Sequence, residues 1–289
     1  MGLKDKIEAG VFTILAEMEP PKGVDVSAML SSAKRVKDGI DAFVVPEMSN
    51  AVMRMSSLGG AMVLQNEGLP TVFQICCRDR NRLAIQGDLL AAQALGITTV
   101  MAVSGQDPSF GDHHQARSVN DLDLFELIGT IERLKKGRDL AGIELSGAPD
   151  FLIGSTTEAG AKGKSTEMEV EEIMKRTAAG ARFLITSPIF DPALLEPYKK
   201  RIDLRKVAII PTVMLLKSLG MARYIVRNLP HLHLPEEVID RIARAPDKAR
   251  ECIQVAVDTV RELKNQGYSG VYLATLGWEH KLPEIIESL

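Results

Sequence analysis

Short, almost continuously apolar runs recur along the chain, separated by amphipathic stretches rich in Lys, Glu and Ala. The runs are 11–17, 42–46, 71–77, 98–103, 142–145, 183–187, 207–215 and 270–275. A strand with one wet face alternates apolar and polar residues, whereas a strand covered on both faces by helices has no polar side to show. These eight runs are therefore expected to be buried parallel strands. The stretches between them have helical spacing. Segment 25–37 opens on Asp25 and puts Met29, Leu30, Ala33 and Val36 on one face. Segment 81–95 does the same with Leu83, Leu89, Leu90 and Ala94, and 121–136 starts at Asp121 and stops at Gly137. Helices are also expected over 168–179, ending at Gly180, and over 192–201. Two more, 219–228 and 235–264, precede the last run, with Pro230 and Pro235 between them.

Eight strands alternating with helices predict an α/β chain folded as one (β/α)8 barrel, with an extra helix before the last strand and residues 1–289 forming a single domain. The rival is a doubly wound sheet. It lacks support, because no G-x-G-x-x-G or G-x-x-x-x-G-K-[ST] follows any strand.

Composition narrows the function classes. Thirty-five Lys and Arg against 38 Asp and Glu leave a net charge of −3, the opposite of a nucleic-acid footprint. Eight Phe, 4 Tyr and 1 Trp are too few for a stacking platform. No apolar stretch approaches a membrane span, and the N-terminal segment MGLKDKIEAG lacks the apolar core of a signal peptide. Cys76, Cys77 and Cys252 form neither a disulfide framework nor a zinc spacing. A reduced, cytoplasmic protein without metal is expected.

In such barrels the chemistry lies at the carboxyl ends of the strands. Glu17 closes a strongly apolar run, with Pro20 and Pro21 stiffening the loop beyond it. Partial desolvation there would raise its pKa and suit it to general-acid work; a salt bridge to a loop arginine is the other reading. Glu19 has the same parity but lies further into the loop. The string 78–81 could hold phosphates, or Asn81 could simply cap the next helix. Segment 105–114, punctuated by Gly and Pro, is a loop of functional length, though its adjacent His113 and His114 suit metal poorly. Cys76 and Cys77 read as packing residues, since no histidine partner can be assigned.

Several segments resemble the methylenetetrahydrofolate reductase family. They are Glu17 with Pro20 and Pro21, the run from Gln74 to Arg82, the segment ALGITTVMAVSG ending at Gly105, the stretch from Ala178 to Thr186, and Thr275-Leu276. Their order and spacing extend over essentially the whole chain. The resemblance implies a flavin, generally FAD with FMN as an alternative. It also implies reduction of 5,10-methylenetetrahydrofolate to 5-methyltetrahydrofolate, with electrons from NAD(P)H or a protein donor. Glu17 falls at the family's catalytic glutamate, whose acid opens the ring bridging N5 and N10. Gln74, Ser104, Gly105 and Gln106 would lie against the flavin, with Gly105 allowing close backbone approach. Lys175 and Arg176 would meet its phosphates. Gln106, Ser187 and Thr275 would meet the folate.

Two positions depart from the family pattern. The family's Gly-Asp at strand four is Gly105-Gln106, with Asp107 one place later, and its strand-six glutamine is Ser187. A neutral Gln106 removes a negative field from the flavin edge, and Ser187 offers no bidentate amide to a pterin. Those changes keep two other readings open: a folate- or flavin-binding subunit of a larger complex, and a flavin-free reductase. A homo-oligomer or partner subunit is compatible with either.

Overall fold

Residues 1–289 of the computed structural model follow the expected β-α alternation. Helix α1 (Leu3–Glu8) precedes β1 (Thr13–Glu17), α2 (Ser27–Val36), β2 (Ala42–Val45), α3 (Ser57–Asn66), β3 (Thr71–Cys76) and α4 (Arg82–Ala94). Then come β4 (Thr99–Val103), α5 (Leu124–Lys135), β5 (Leu152–Thr156), α6 (Thr166–Ala179), β6 (Phe183–Pro188) and the short α7 (Glu196–Lys199). Strand β7 (Ala208–Met214) leads into α8 (Leu219–Asn228), α9 (Glu236–Arg244) and α10 (Lys248–Asn265), and β8 (Gly270–Ala274) and α11 (Leu282–Ile286) finish the chain. The eight strands close in sequence order into a parallel barrel, β8 pairing with β1 through Leu15 beside Tyr272.

Parity along each strand sorts the side chains into two layers. Leu15, Val44, Val72, Met101, Leu152, Phe183, Ile210 and Tyr272 fill the barrel interior, and Ile7 of α1 joins them at its amino end. Their neighbours Ala16, Phe43, Phe73, Val100, Ile153, Leu184, Ile209 and Leu273 pack outward. There they meet helix residues such as Ala33, Leu64, Leu89, Ile131, Ile173 and Val260. Between β7 and β8 the chain makes three helices rather than one, and Leu216, Ile225, Leu234, Ile242 and Cys252 form a separate small core beneath them.

Several local expectations change. The run 142–145 is not a strand: it lies in the α5–β5 connection, where Arg138 and Glu144 form an isolated antiparallel bridge. The fifth strand is Leu152–Thr156, disguised by Gly154, Ser155 and Thr156. Gly154 is required because a Cβ there would lie 2.1 Å from the Phe183 ring. Helix α5 is capped by Asp123, reciprocally with Glu126, while Asp121 pairs with Arg82. Asp25 does not cap α2; it lies one residue before the N-cap Val26 and accepts from Ser27 N–H. The long 235–264 segment breaks at 245–247, where Asp247 caps α10, and 192–201 starts as a 3-10 turn before α7. Helices α1, α3 and α11 have no counterpart in the sequence expectations.

Candidate functional site

A cleft of about 620 Å³ opens at the carboxyl ends of the strands, lined mostly by polar residues, with Met48, Val103, Leu124 and Leu276 among them. Its chemistry starts at Glu17. As the last residue of β1 it shares the inward parity of Leu15, so its side chain rises from the apolar interior into the mouth. Glu17 is 8 % exposed, and three hydrogen-bonding groups surround its carboxyl group. Leu276 N–H donates to Oε1 at 2.7 Å, the Thr275 hydroxyl lies 3.1 Å from the same oxygen, and the Tyr272 hydroxyl lies 3.1 Å from Oε2. Burial pushes its pKa up against the pull of those donors, and the nearby Glu279 charge adds to the rise. No cation lies within ion-pair distance of Glu17. The loop arginine, Arg54, pairs with Glu19 instead, Nε to Oε1 at 2.9 Å. Burial and Glu17 also hold the Tyr272 phenol well above its ordinary pKa, so it remains a donor.

A further carboxylate, not singled out in the sequence, lines the same side. Glu47 follows β2, its side chain fully buried, with Oε2 accepting from Ser57 N–H at 3.2 Å and Arg80 Nη2 at 3.3 Å. Its Oε1 has no partner, and burial raises its pKa. The turn after it holds Met48, Asn50 and Ala51 at φ of 48°, 55° and 56°. Three residues of one turn in the left-handed region are backbone strain concentrated on the cleft wall. Gln74, inward on β3, accepts from Glu47 N–H and so ties β2 to β3 beneath the cleft.

The opposite wall is basic. Lys164 pairs with Glu158 just beyond β5. Arg176 of α6 reaches in beneath it, with Phe125 under the guanidinium at 5.7 Å. Its nearest carboxylates, Glu169 and Glu172, stand 3.9 and 3.7 Å away. The Nε and Nη1 of Arg176 are buried and have no hydrogen-bond partner. Adjacent residues on a helix point about 100° apart, and Lys175 accordingly lies outside the cleft, exposed and paired with Glu172 at 3.0 Å.

Between the walls lie Ser104, Gly105 and Gln106 after β4. Arg78, buried, forks onto Asp79 with two 2.7 Å bonds and donates to the Gln106 carbonyl at 3.2 Å. Gly105 has φ +84°, and a Cβ there would meet Cys76 Sγ at 2.2 Å and Arg78 Cβ at 2.9 Å. The glycine is thus already required by the protein's own packing. Asp107 does not line the cleft; it caps the following 3-10 turn through Ser109 N–H at 2.8 Å. Asn81 caps α4, accepting from Leu83 and Ala84 N–H. On β6 the register slips between Ile185 and Pro188. This bulge turns two consecutive residues, Thr186 and Ser187, into the cleft. Thr275 is fully buried and touches the cleft only through Glu17.

Burial raises the pKa of Cys76 to about 11 and that of Cys77 to about 12, so neither is a thiolate nucleophile near neutrality. No group of three or more His, Cys, Asp or Glu side chains is placed to hold a metal ion, and no helix is long and apolar enough to cross a membrane.

Similarity to known proteins agrees with this geometry. Methylenetetrahydrofolate reductase 2 of Schizosaccharomyces pombe is 22% identical over 99% of this chain and 46% of its own length. A probable methylenetetrahydrofolate reductase (NADPH) of Caenorhabditis elegans is 24% identical over 94% of this chain and 41% of its own. The chain therefore spans less than half the length of these curated relatives. Among solved structures, an uncharacterized protein from Clostridium thermocellum that binds two copies of 5-methyl-5,6,7,8-tetrahydrofolic acid superposes with a TM-score of 0.67 at 13% identity. That match covers 99% of this chain and 97% of the other. The family profile described as methylenetetrahydrofolate reductase matches residues 2–289, and the chain belongs to that family.

Proposed function

We propose that the chain holds a flavin, FAD or FMN, and reduces 5,10-methylenetetrahydrofolate to 5-methyltetrahydrofolate, with Glu17 as the ring-opening acid. The observation that carries this reading is the buried Glu17 carboxyl at the cleft floor, its pKa raised by burial and no cation beside it to hold it ionised. Family membership and the folate bound by the Clostridium thermocellum protein of similar fold support the substrate class.

The flavin, when bound, supplies the hydride. The unpartnered Arg176 donors and Lys164 fit its phosphates, and Gln74, Ser104, Gly105 and Gln106 fit its ring system. Glu17 gives its proton to N10 of the folate as the bond from N10 to the bridging carbon breaks, leaving a cationic N5 iminium as hydride acceptor. Ionised Glu17 then faces that cation, with Glu19 and Glu47 on the same wall. Ser187 offers a hydroxyl to the pterin, whereas the Thr186 hydroxyl already donates to the Ser187 carbonyl and accepts from Thr212 N–H.

An absorption spectrum of the purified chain with cofactor extraction tests the flavin. The acid is tested by Glu17→Gln, expected to lower folate turnover by about 10²–10⁴-fold while the electron donor still bleaches the flavin. Unchanged folate turnover would remove Glu17 from the role. A second reading, a folate-binding subunit with little activity alone, is favoured by Gln106 and Ser187 at the two departed positions. Activity appearing only after a second polypeptide is added would select it.

A further inference from the structure

The Thr275 hydroxyl stands between two carboxylates. Its Oγ1 is 3.1 Å from Glu17 Oε1 and 2.9 Å from Glu279 Oε1. A hydroxyl has one proton and can donate to only one of them at a time, so the other carboxyl meets an acceptor lone pair. The two carboxylates open on different spaces. Glu17 lines the main cleft, whereas Glu279 lines a second cavity of about 260 Å³ behind the β1 loop, bounded by Pro20, Pro21, Asp25 and Gly277, with Glu19 lining both. Thr275 itself is fully buried.

We propose that Glu279 and Thr275 form a rear proton path that recharges Glu17 while the cleft is filled. The inference rests on Glu17 acting as an acid, which loses one proton per cycle. Ligands that fill the cleft would displace the water on that side of Glu17. In the relay, protonated Glu279 gives its proton to Thr275 Oγ1 as the Thr275 O–H proton passes to Glu17 Oε1. Glu279 is then ionised again and is reprotonated by hydronium or a buffer acid reaching the rear cavity, which leaves neutral water or the buffer base behind. Charge and protons balance, and no bond other than O–H changes. The charged groups around the relay are Glu19, Arg54 and Lys217, and the Tyr272 hydroxyl bonds the other oxygen of Glu17.

The test needs neither flavin nor turnover. Ser187→Cys, alkylated with N-benzylmaleimide, plugs the cleft; infrared pH-jump spectroscopy then follows the Glu17 C=O band, assigned by its loss in Glu17→Gln. In the plugged chain that band is expected to return quickly. Adding Thr275→Val or Glu279→Gln should slow it at least tenfold, and Thr275→Ser should restore it. Loss of protonation on plugging alone, or fast return in both relay variants, overturns the proposal. In folate turnover, Glu279→Gln is expected to keep the first cycle and slow later ones. A chain without reductase activity would still give the infrared result, so failure of the reductase reading and failure of the relay are read separately.

Discussion

The backbone N–H of Leu276 donates to Oε1 of Glu17 at 2.7 Å from a residue held at a φ of 52°. A leucine in the left-handed region costs about 1–2 kcal/mol, and Lys217 braces it by donating to the Leu276 carbonyl. This donor favours the ionised carboxyl, yet burial outweighs it and the Glu17 pKa stays raised. Glu17 therefore weakens the fold when ionised. A folded pKa above the unfolded value means that stability is fully present below the unfolded pKa and is lost as pH rises through the folded one. Glu17→Gln is accordingly expected to raise Tm near pH 7. The gain should fade as pH falls toward the ordinary carboxylate value of 4.5. Thermal melts across pH check it; an equal or lower Tm at pH 7 would contradict the argument.

Arg176 presents the opposite imbalance, a buried cation with unused donors. Each unmade buried hydrogen bond costs about 1–3 kcal/mol, so an anion that satisfies them should stabilise the chain visibly. Inorganic pyrophosphate is expected to raise Tm of the wild type. Arg176→Lys keeps the charge but loses the planar fork, and should weaken pyrophosphate and FAD binding by roughly tenfold, about 1.4 kcal/mol. Lys175→Ala, outside the cleft, should change neither. Equal Tm shifts in all three chains would place the anion elsewhere.

Gln106 and Asp107 exchange the roles that spacing alone left open. Gln106 lines the cleft, and Asp107 turns away to cap the 3-10 turn at Pro108–Phe110. Under the flavin reading, Gln106→Asp introduces a negative charge at the ring edge and should lower the two-electron reduction potential by roughly 30 mV, equivalent to about 1.4 kcal/mol. Asp107→Ala should leave the potential alone and cost about 1 kcal/mol of stability through the lost cap. Potentiometry and denaturant melts of the two variants separate these effects, and a potential shift in Asp107→Ala alone would reverse the assignment.

The barrel was legible because strands covered on both faces are apolar throughout, and Glu17 was legible because a carboxylate ending such a run is conspicuous. Strand β5 was not, since it closes on Gly154, Ser155 and Thr156, while 142–145 offers more apolar character in an exposed connection. Missing β5 also hid Thr156, Thr157 and Glu158 at its carboxyl end, all of which line the cleft. Glu47 was obscured for a different reason: its wall position depends on a turn with left-handed residues that no local propensity favours. The pair Lys175 and Arg176 looked equivalent in sequence, and only the rotation of α6 separates them.

The same disguise makes the fifth strand a sensitive place in the barrel. Gly154 lies where the Phe183 ring fills the space a side chain would need, with ring atoms 2.1 to 2.5 Å from the point a Cβ would occupy. Phe183 is fully buried and cannot swing toward solvent. Gly154→Ala is therefore expected to destabilise the chain by about 1–3 kcal/mol through overpacking, lowering Tm by several degrees. Pairing it with Phe183→Leu should recover part of that loss, because the smaller side chain vacates the contested volume. A double-mutant cycle in denaturant measures the coupling; additive costs would mean that the ring and the strand do not compete for one space.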